Sequence, residues 1–225
     1  MSTTTFYPTA GANSPVDGNV IVDDVTLGTV WSTVRSQSNA DHAYVTDTNQ
    51  YTFRTEKISS RYSIDRSAFL FDLTSISGDT VTGATMSLYL LPSGGSTTQA
   101  VTLFPVTSSL ASNANVVVGD YAIANWGSTK LADTGIANSA TKGQYQDMTF
   151  NASGVTVVDN ATGGVVSLGT RSDLDIDNTA PTARSYWQIY WADQTGTAND
   201  PKLTVTHSAG ATNEVASING ISNTS

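Results

Sequence analysis

The chain has 225 residues and a net charge of −9, from ten Lys plus Arg against nineteen Asp plus Glu. It has no cysteine, which excludes disulfides, thiolate metal sites and cysteine nucleophiles. The sparse acidic charge repels a phosphate backbone, so nucleic acid is not an expected partner. No stretch reaches the roughly 20 apolar residues that span a bilayer, so no membrane partner is expected either.

Taken in chain order, residues 1–15 read as an extended N-terminal arm ending at Asn13-Ser-Pro15. The opening Met-Ser-Thr-Thr-Thr-Phe-Tyr-Pro8 has neither the basic start nor the apolar run of a secretory signal. Val16–Asp24 reads as a strand with Val20 and Val22 alternating. Trp31–Ser36 reads as a second strand, with Trp31, Thr33 and Arg35 on one face. Residues 37–63 are polar and suggest loops with a short hairpin.

The run from Arg66 to Leu91 is the clearest β-pattern in the chain. Phe69, Phe71 and Leu73 alternate with Leu70 and Asp72. After a Ser-Gly-Asp turn, Ala84, Met86, Leu88 and Leu90 alternate with Thr85, Ser87, Tyr89 and Leu91. A period of two marks half-buried strands, and the Gly-containing turn between them marks antiparallel sheet. Pro105, inside Ala100–Val106, places that run at an edge or a strand end. Residues 107–143 read as a long irregular connection with a helical turn at Asp120–Trp126. Later strands are expected at Tyr145–Phe150, Val165–Gly169, Tyr186–Asp193 and Lys202–His207, followed by a polar C-terminal tail, residues 208–225. The whole predicts an all-β chain: a single antiparallel sandwich over residues 16–207, with an arm at each end.

Three residue sets invite a functional reading. In Tyr186-Trp-Gln-Ile-Tyr-Trp191, alternation assigns Trp187, Ile189 and Trp191 inward and leaves Tyr186, Gln188 and Tyr190 as an outer ridge. A tyrosine offers a sugar both an apolar face and a polar tip. Trp126 and Trp31 are further candidates for stacking on a sugar from loops. Asp173, Asp175 and Asp177 alternate in Asp-Leu-Asp-Ile-Asp, and an extended backbone would gather them as oxygen ligands for Ca²⁺; Asp23-Asp24 is a weaker second set. Beyond such a Ca²⁺ no cofactor is implied. The two histidines, His42 and His207, come with no nucleophile elbow, and Glu is confined to Glu56 and Glu214. No catalytic constellation emerges, and an enzyme is not expected.

Two resemblances add to this. The order Arg66-x-x-Phe-Leu-Phe-Asp-Leu-Thr-Ser-Ile76, Ala84-Thr-x-Ser-Leu-Tyr-Leu90 and Asp200-Pro-Lys-Leu-Thr-Val-Thr-His207 resembles the DNRLRE-type β-sandwich modules, which are related to carbohydrate-binding modules. Asp147–Ser153 is loosely similar to a mid-domain strand of that family, and His207 stands where the family usually has Tyr. The resemblance implies a jelly-roll-like sandwich with a short helix at Ala152–Asp159, and sugar binding. The phrase Val215-Ala-Ser-Ile-Asn-Gly-Ile221 resembles linkers that recur in bacteriophage virion proteins. Together they imply a virion structural protein: a capsid decoration, head-fibre or tail-associated component on the particle exterior. Its expected partners are other virion proteins such as the capsid or tail protein, further copies in a homo-oligomer, and surface glycans. The alternative is an extracellular carbohydrate-binding module of a polysaccharide-processing system.

Overall fold

The computed structural model describes residues 1–23, 28–45, 52–193 and 195–210. In chain order the elements are β1 (Ser2–Phe6), β2 (Asp17–Asp23), α1 (Trp31–Arg35), β3 (His42–Tyr44), β4 (Thr52–Ile58), β5 (Arg61–Asp72), β6 (Thr80–Tyr89), β7 (Ser96–Thr97), β8 (Thr102–Thr107), β9 (Ile136–Ala137), β10 (Tyr145–Thr149), α2 (Ala152–Asp159), β11 (Val165–Ser172), α3 (Asp173–Ile176), β12 (Ser185–Gln188) and β13 (Lys202–Ser208). Short 3₁₀ turns occupy Thr74–Ile76, Val118–Tyr121 and Ile123–Asn125.

The strands form an all-β, jelly-roll-like sandwich. One sheet has four strands in the order β1-β13-β6-β10. The other has nine, in the order β7-β12-β4-β5-β11-β8-β9, with β2 and β3 joined alongside β5. Every pair of these strands is antiparallel, but the two strands that flank the Ser-Gly-Asp turn do not pair with each other as expected: β5 lies in the nine-stranded sheet and β6 in the four-stranded one, so the turn carries the chain from one sheet to the other.

The main core lies between the sheets. Met86, Leu88, Leu203 and Val205 meet Phe69, Phe71, Leu168 and Trp187 there. Trp191 stacks on Phe69 at 5.3 Å and on Phe53 at 6.1 Å between centroids, which gives this core an aromatic centre. A second core covers the other face of the nine-stranded sheet: Val20, Val22, Ile64, Ala68 and Leu70 pack against Trp31, Val34, Tyr121 and Trp126. β5 is therefore buried on both faces. Its Ala68-Phe-Leu-Phe71 run reads as continuous apolar sequence because no face of it meets water.

Several expectations change. Residues 2–6 are not a free arm. They form β1, which pairs along β13 from Ser2↔His207 to Phe6↔Leu203, and Phe6 enters the main core. Trp31–Arg35 is helical rather than extended, since the buried positions are Trp31 and Val34, three apart, while Thr33 is exposed. The expected turn at 120–126 and the helix at 152–159 are both present. Asn151 caps the helix by accepting from Gly154 N at 3.1 Å. Pro105 sits opposite Thr170, beyond the two-residue contact of β8 with β9. The tail from residue 211, with its 215–221 phrase, lies outside the described residues, as does Asp24.

Candidate functional site

Alternation along 185–191 holds in three dimensions. Trp187, Ile189 and Trp191 are 1%, 0% and 3% exposed, while Tyr186, Gln188 and Tyr190 are half-buried on the opposite side. The strand does more than pair within its own sheet. Ile189 bridges to Leu90, and Tyr190 N donates to Tyr89 O at 3.2 Å, so the ridge crosses onto the end of β6. Gln188 lies over the Gly94-Gly95 loop. A Cβ at Gly94, where φ is +90°, would sit 1.7 Å from the Gln188 side-chain oxygen, so only glycine lets the amide pack there.

The crossing builds an aromatic row that single-strand patterns did not reveal. Tyr190 packs on Tyr89 at 5.6 Å, Tyr89 meets Tyr145 edge-on at 5.2 Å, and Lys202 Nζ caps the Tyr145 ring at 3.7 Å. All four side chains are half-buried. The Tyr89 hydroxyl donates to Gly143 O at 2.6 Å, and the Tyr145 hydroxyl to Asp200 O at 2.9 Å. Burial, then the Tyr7, Asp200 and Tyr89 groups, push the Tyr145 hydroxyl up to about 12, so it stays a donor at neutral pH. The row needs the β6–β10 register (Tyr145↔Tyr89), which no single stretch of sequence encodes.

At the far end of the ridge, roughly 13 Å from Tyr190 by strand rise, Arg184 lies 4.7 Å over the Tyr186 ring. Beside it a groove of about 270 Å³ is lined by Asp23, Arg54, Glu56, Ile58, Arg61, Ser63 and Arg184. Arg54 is neutralised by Asp23 at 2.8 Å and by buried Asp65 at 3.2 Å. Glu56, 1% exposed, reaches Arg184 Nε at 3.3 Å. Burial raises the Glu56 carboxyl, against the pull of Arg54 and Arg184.

The other three arginines of the chain converge on Asp175. Arg66 donates to it through Nε at 2.8 Å and Nη2 at 3.0 Å, Arg171 Nε donates at 2.8 Å, and Arg35 Nε lies 3.2 Å from Oδ1. Burial alone would raise the Asp175 carboxyl. Arg66 and Arg171 outweigh it and hold the group well below the usual carboxylate range. This corrects the reading of Asp173, Asp175 and Asp177 as one ligand set. The segment is the short helix α3, capped by Ser172, and it turns Asp175 away from Asp173 and Asp177. Asp173 accepts from Thr102 N and Leu174 N, and Asp177 pairs with Lys130 at 3.2 Å. Among the described residues no group of three or more His, Asp or Glu is arranged to hold a metal ion. Asp23, of the weaker pair, is the partner of Arg54.

Trp126 is also corrected. It is 4% exposed, donates through Nε1 to Asp120 O at 2.7 Å, and packs so closely on Gly169 that a Cβ there would come within 2.6 Å of its ring. It fills the second core, as does Trp31 at 7% exposure, and neither is available for stacking on a ligand. His42 is exposed beside Tyr44. His207 joins Asp79 at Nδ1 and Thr4 at Nε2, tying the first strand to the last.

A scan against protein-family models and a search of curated proteins return no match to this chain. No helix among the described residues is long and apolar enough to cross a membrane.

Proposed function

We propose that this chain is a bacteriophage virion structural protein of the particle exterior, built on a carbohydrate-binding-like sandwich. It acts without catalysis, by protein–protein assembly and by adhesion to surface glycans. The observation that carries the glycan half is the ridge Tyr186–Gln188–Tyr190, continued by Tyr89, Tyr145 and Lys202. Aromatic rings on a rigid strand, with an amide and an ammonium between and beside them, are the groups that stack on sugar faces and bond sugar hydroxyls.

The placement of the ridge supports display. Ser2 pairs with His207 at one end of the four-stranded sheet, while Lys202 and Tyr145 mark the other end, about 17 Å away along β13. A partner gripping the sandwich at the Ser2–His207 end of these strands leaves the tyrosine row facing outward. The virion half rests on the likeness of Val215–Ile221 to virion linker phrases. The second reading, a carbohydrate-binding module of a polysaccharide-processing system, shares the ridge and differs only in its setting.

Calorimetric titration of the full chain with the polysaccharides of the source host tests the glycan half. Tyr190→Ala is expected to weaken binding at least five-fold, equivalent to about 1 kcal/mol for a lost stacking partner. Unchanged affinity in the variant moves the site elsewhere, and no binding to any glycan removes this half of the proposal. Mass spectrometry of density-purified viral particles tests the setting. Recovery in fixed ratio to the major capsid protein is expected, whereas recovery only from the polysaccharide-bound fraction favours the second reading.

A further inference from the structure

At the Tyr145 end of the row, where the Tyr145 hydroxyl bonds Asp200 O, the chain brings in buried acids. Asp17, at the start of β2, is 1% exposed; its Oδ2 accepts from Ala192 N at 3.0 Å, and its Oδ1 has no hydrogen-bond partner. Asp200 is 3% exposed, and its Oδ1 also lacks a partner. Asp193 adjoins Ala192 and accepts from Gly11 N at 2.6 Å. The three lie within one another's electrostatic reach. Asp193 and Asp200 both act on Asp17, and Asp193 acts on Asp200.

Among the described residues neither Asp17 nor Asp200 forms an ion pair with a Lys or Arg. Buried carboxylates ordinarily have paired charge, and an isolated one is costly. The residues that lead into Asp200, Thr195-Gly-Thr-Ala-Asn199, carry hydroxyl, amide and carbonyl oxygens. Gly196, at φ +79°, supplies a turn within them.

We propose that Asp17 and Asp200, with oxygens of residues 195–199, form a binding site for a divalent cation of the Ca²⁺ type. Two buried carboxylate oxygens without partners supply the anionic ligands. Calcium accepts six to eight oxygens in adaptable geometry, so loop carbonyls and water complete the shell without a third carboxylate at ligand distance. Bound cation would join the start of β2 to the 195–200 loop. That loop accepts the Tyr145 hydroxyl through Ala198 O and Asp200 O, so the ion would stiffen one end of the tyrosine row. This site is independent of whether the row binds a glycan.

The test uses the full chain, stripped with a chelator and titrated with CaCl₂, MgCl₂ or MnCl₂ under calorimetry and thermal melting. Expected are a binding heat and a Tm that climbs with the logarithm of Ca²⁺ concentration, as for a ligand specific to the folded state. Asp17→Asn and Asp200→Asn, made separately, should each weaken Ca²⁺ binding at least ten-fold, while Asp173→Asn should leave it intact. If one of the two site variants fails to fold, the other still decides. No heat and no Tm shift with any of the three ions up to 10-millimolar order would overturn the site, and so would an unchanged Ca²⁺ response in both site variants.

Discussion

Asp175 and Asp17 are each 1% exposed, and the protein treats them in opposite ways. Asp175 is gripped by Arg35, Arg66 and Arg171, and the backbone around it is engaged as well. Arg171 Nη1 donates to Gly127 O at 2.9 Å and Arg66 Nη2 to Arg35 O at 2.9 Å. Asp17 accepts from the backbone at Ala192 N, and no Lys or Arg among the described residues pairs with it. Burial, followed by the nearby charges of Asp193 and Asp200, pushes the Asp17 carboxyl up to about 8, whereas the arginines hold Asp175 low. Depth alone therefore does not set the character of a buried acid; its partners do. The clamp is closed and joins α1, β5, the Tyr121 turn and α3. Asp17 keeps one oxygen without a hydrogen-bond partner, the feature on which the proposed cation site rests.

Parallel Asp→Asn substitutions would sharpen this contrast most. Asp175→Asn strands Arg66 and Arg171, which are 0% and 1% exposed, without a counter-charge. Breaking a buried pair from one side costs about 3–5 kcal/mol. Asp17→Asn in chelator-treated buffer keeps an acceptor for Ala192 N and removes an unpaired acid, so its cost should stay within about 1 kcal/mol. Urea unfolding of the two variants at neutral pH measures both. Equal losses would mean that the two pockets are equally structural, and the comparison would fail.

The sequence was most informative where a residue's task is set by its own strand. The 186–191 alternation named the inner and outer sets, because a pleated strand sorts side chains by parity alone. The run at 68–71 was legible as a strand but not as one covered on both faces, since the second core comes from α1 and the 116–126 segment, distant in sequence. The ligand set at 173–177 failed for a related reason. Parity assumed an extended backbone, and Ser172 starts a helix there to present Asp175 to Arg66, 109 positions earlier. Trp126 looked like a loop tryptophan until Gly169 was found to make room for its ring. Tyr89 and Tyr145 stood in strands the sequence identified, yet their meeting depends on register between strands more than fifty residues apart. Sheet-crossing sites of this kind carry no local signature.

Acid titration separates the two kinds of buried aspartate by a smaller effect. A carboxyl held low in the folded state gives stability that is fully present above its unfolded value, about 3.9, and is lost as pH falls toward the folded value. Asp175 is such a group, so protonating it dissolves the charge complement of Arg66 and Arg171. The wild-type chain should therefore lose up to about 1.4 kcal/mol per pH unit through this one group below pH ~4. Asp175→Asn has no proton to take up there. The stability gap between wild type and variant, wide at neutral pH, should close steadily between about pH 4 and pH 2 when followed by urea midpoints at each pH. A gap that stays constant through that range would mean that the neutral-pH loss comes from packing around α3 rather than from the charge that Asp175 supplies. The clamp would then owe its strength to shape, and the distinction from Asp17 would rest on contacts instead of electrostatics.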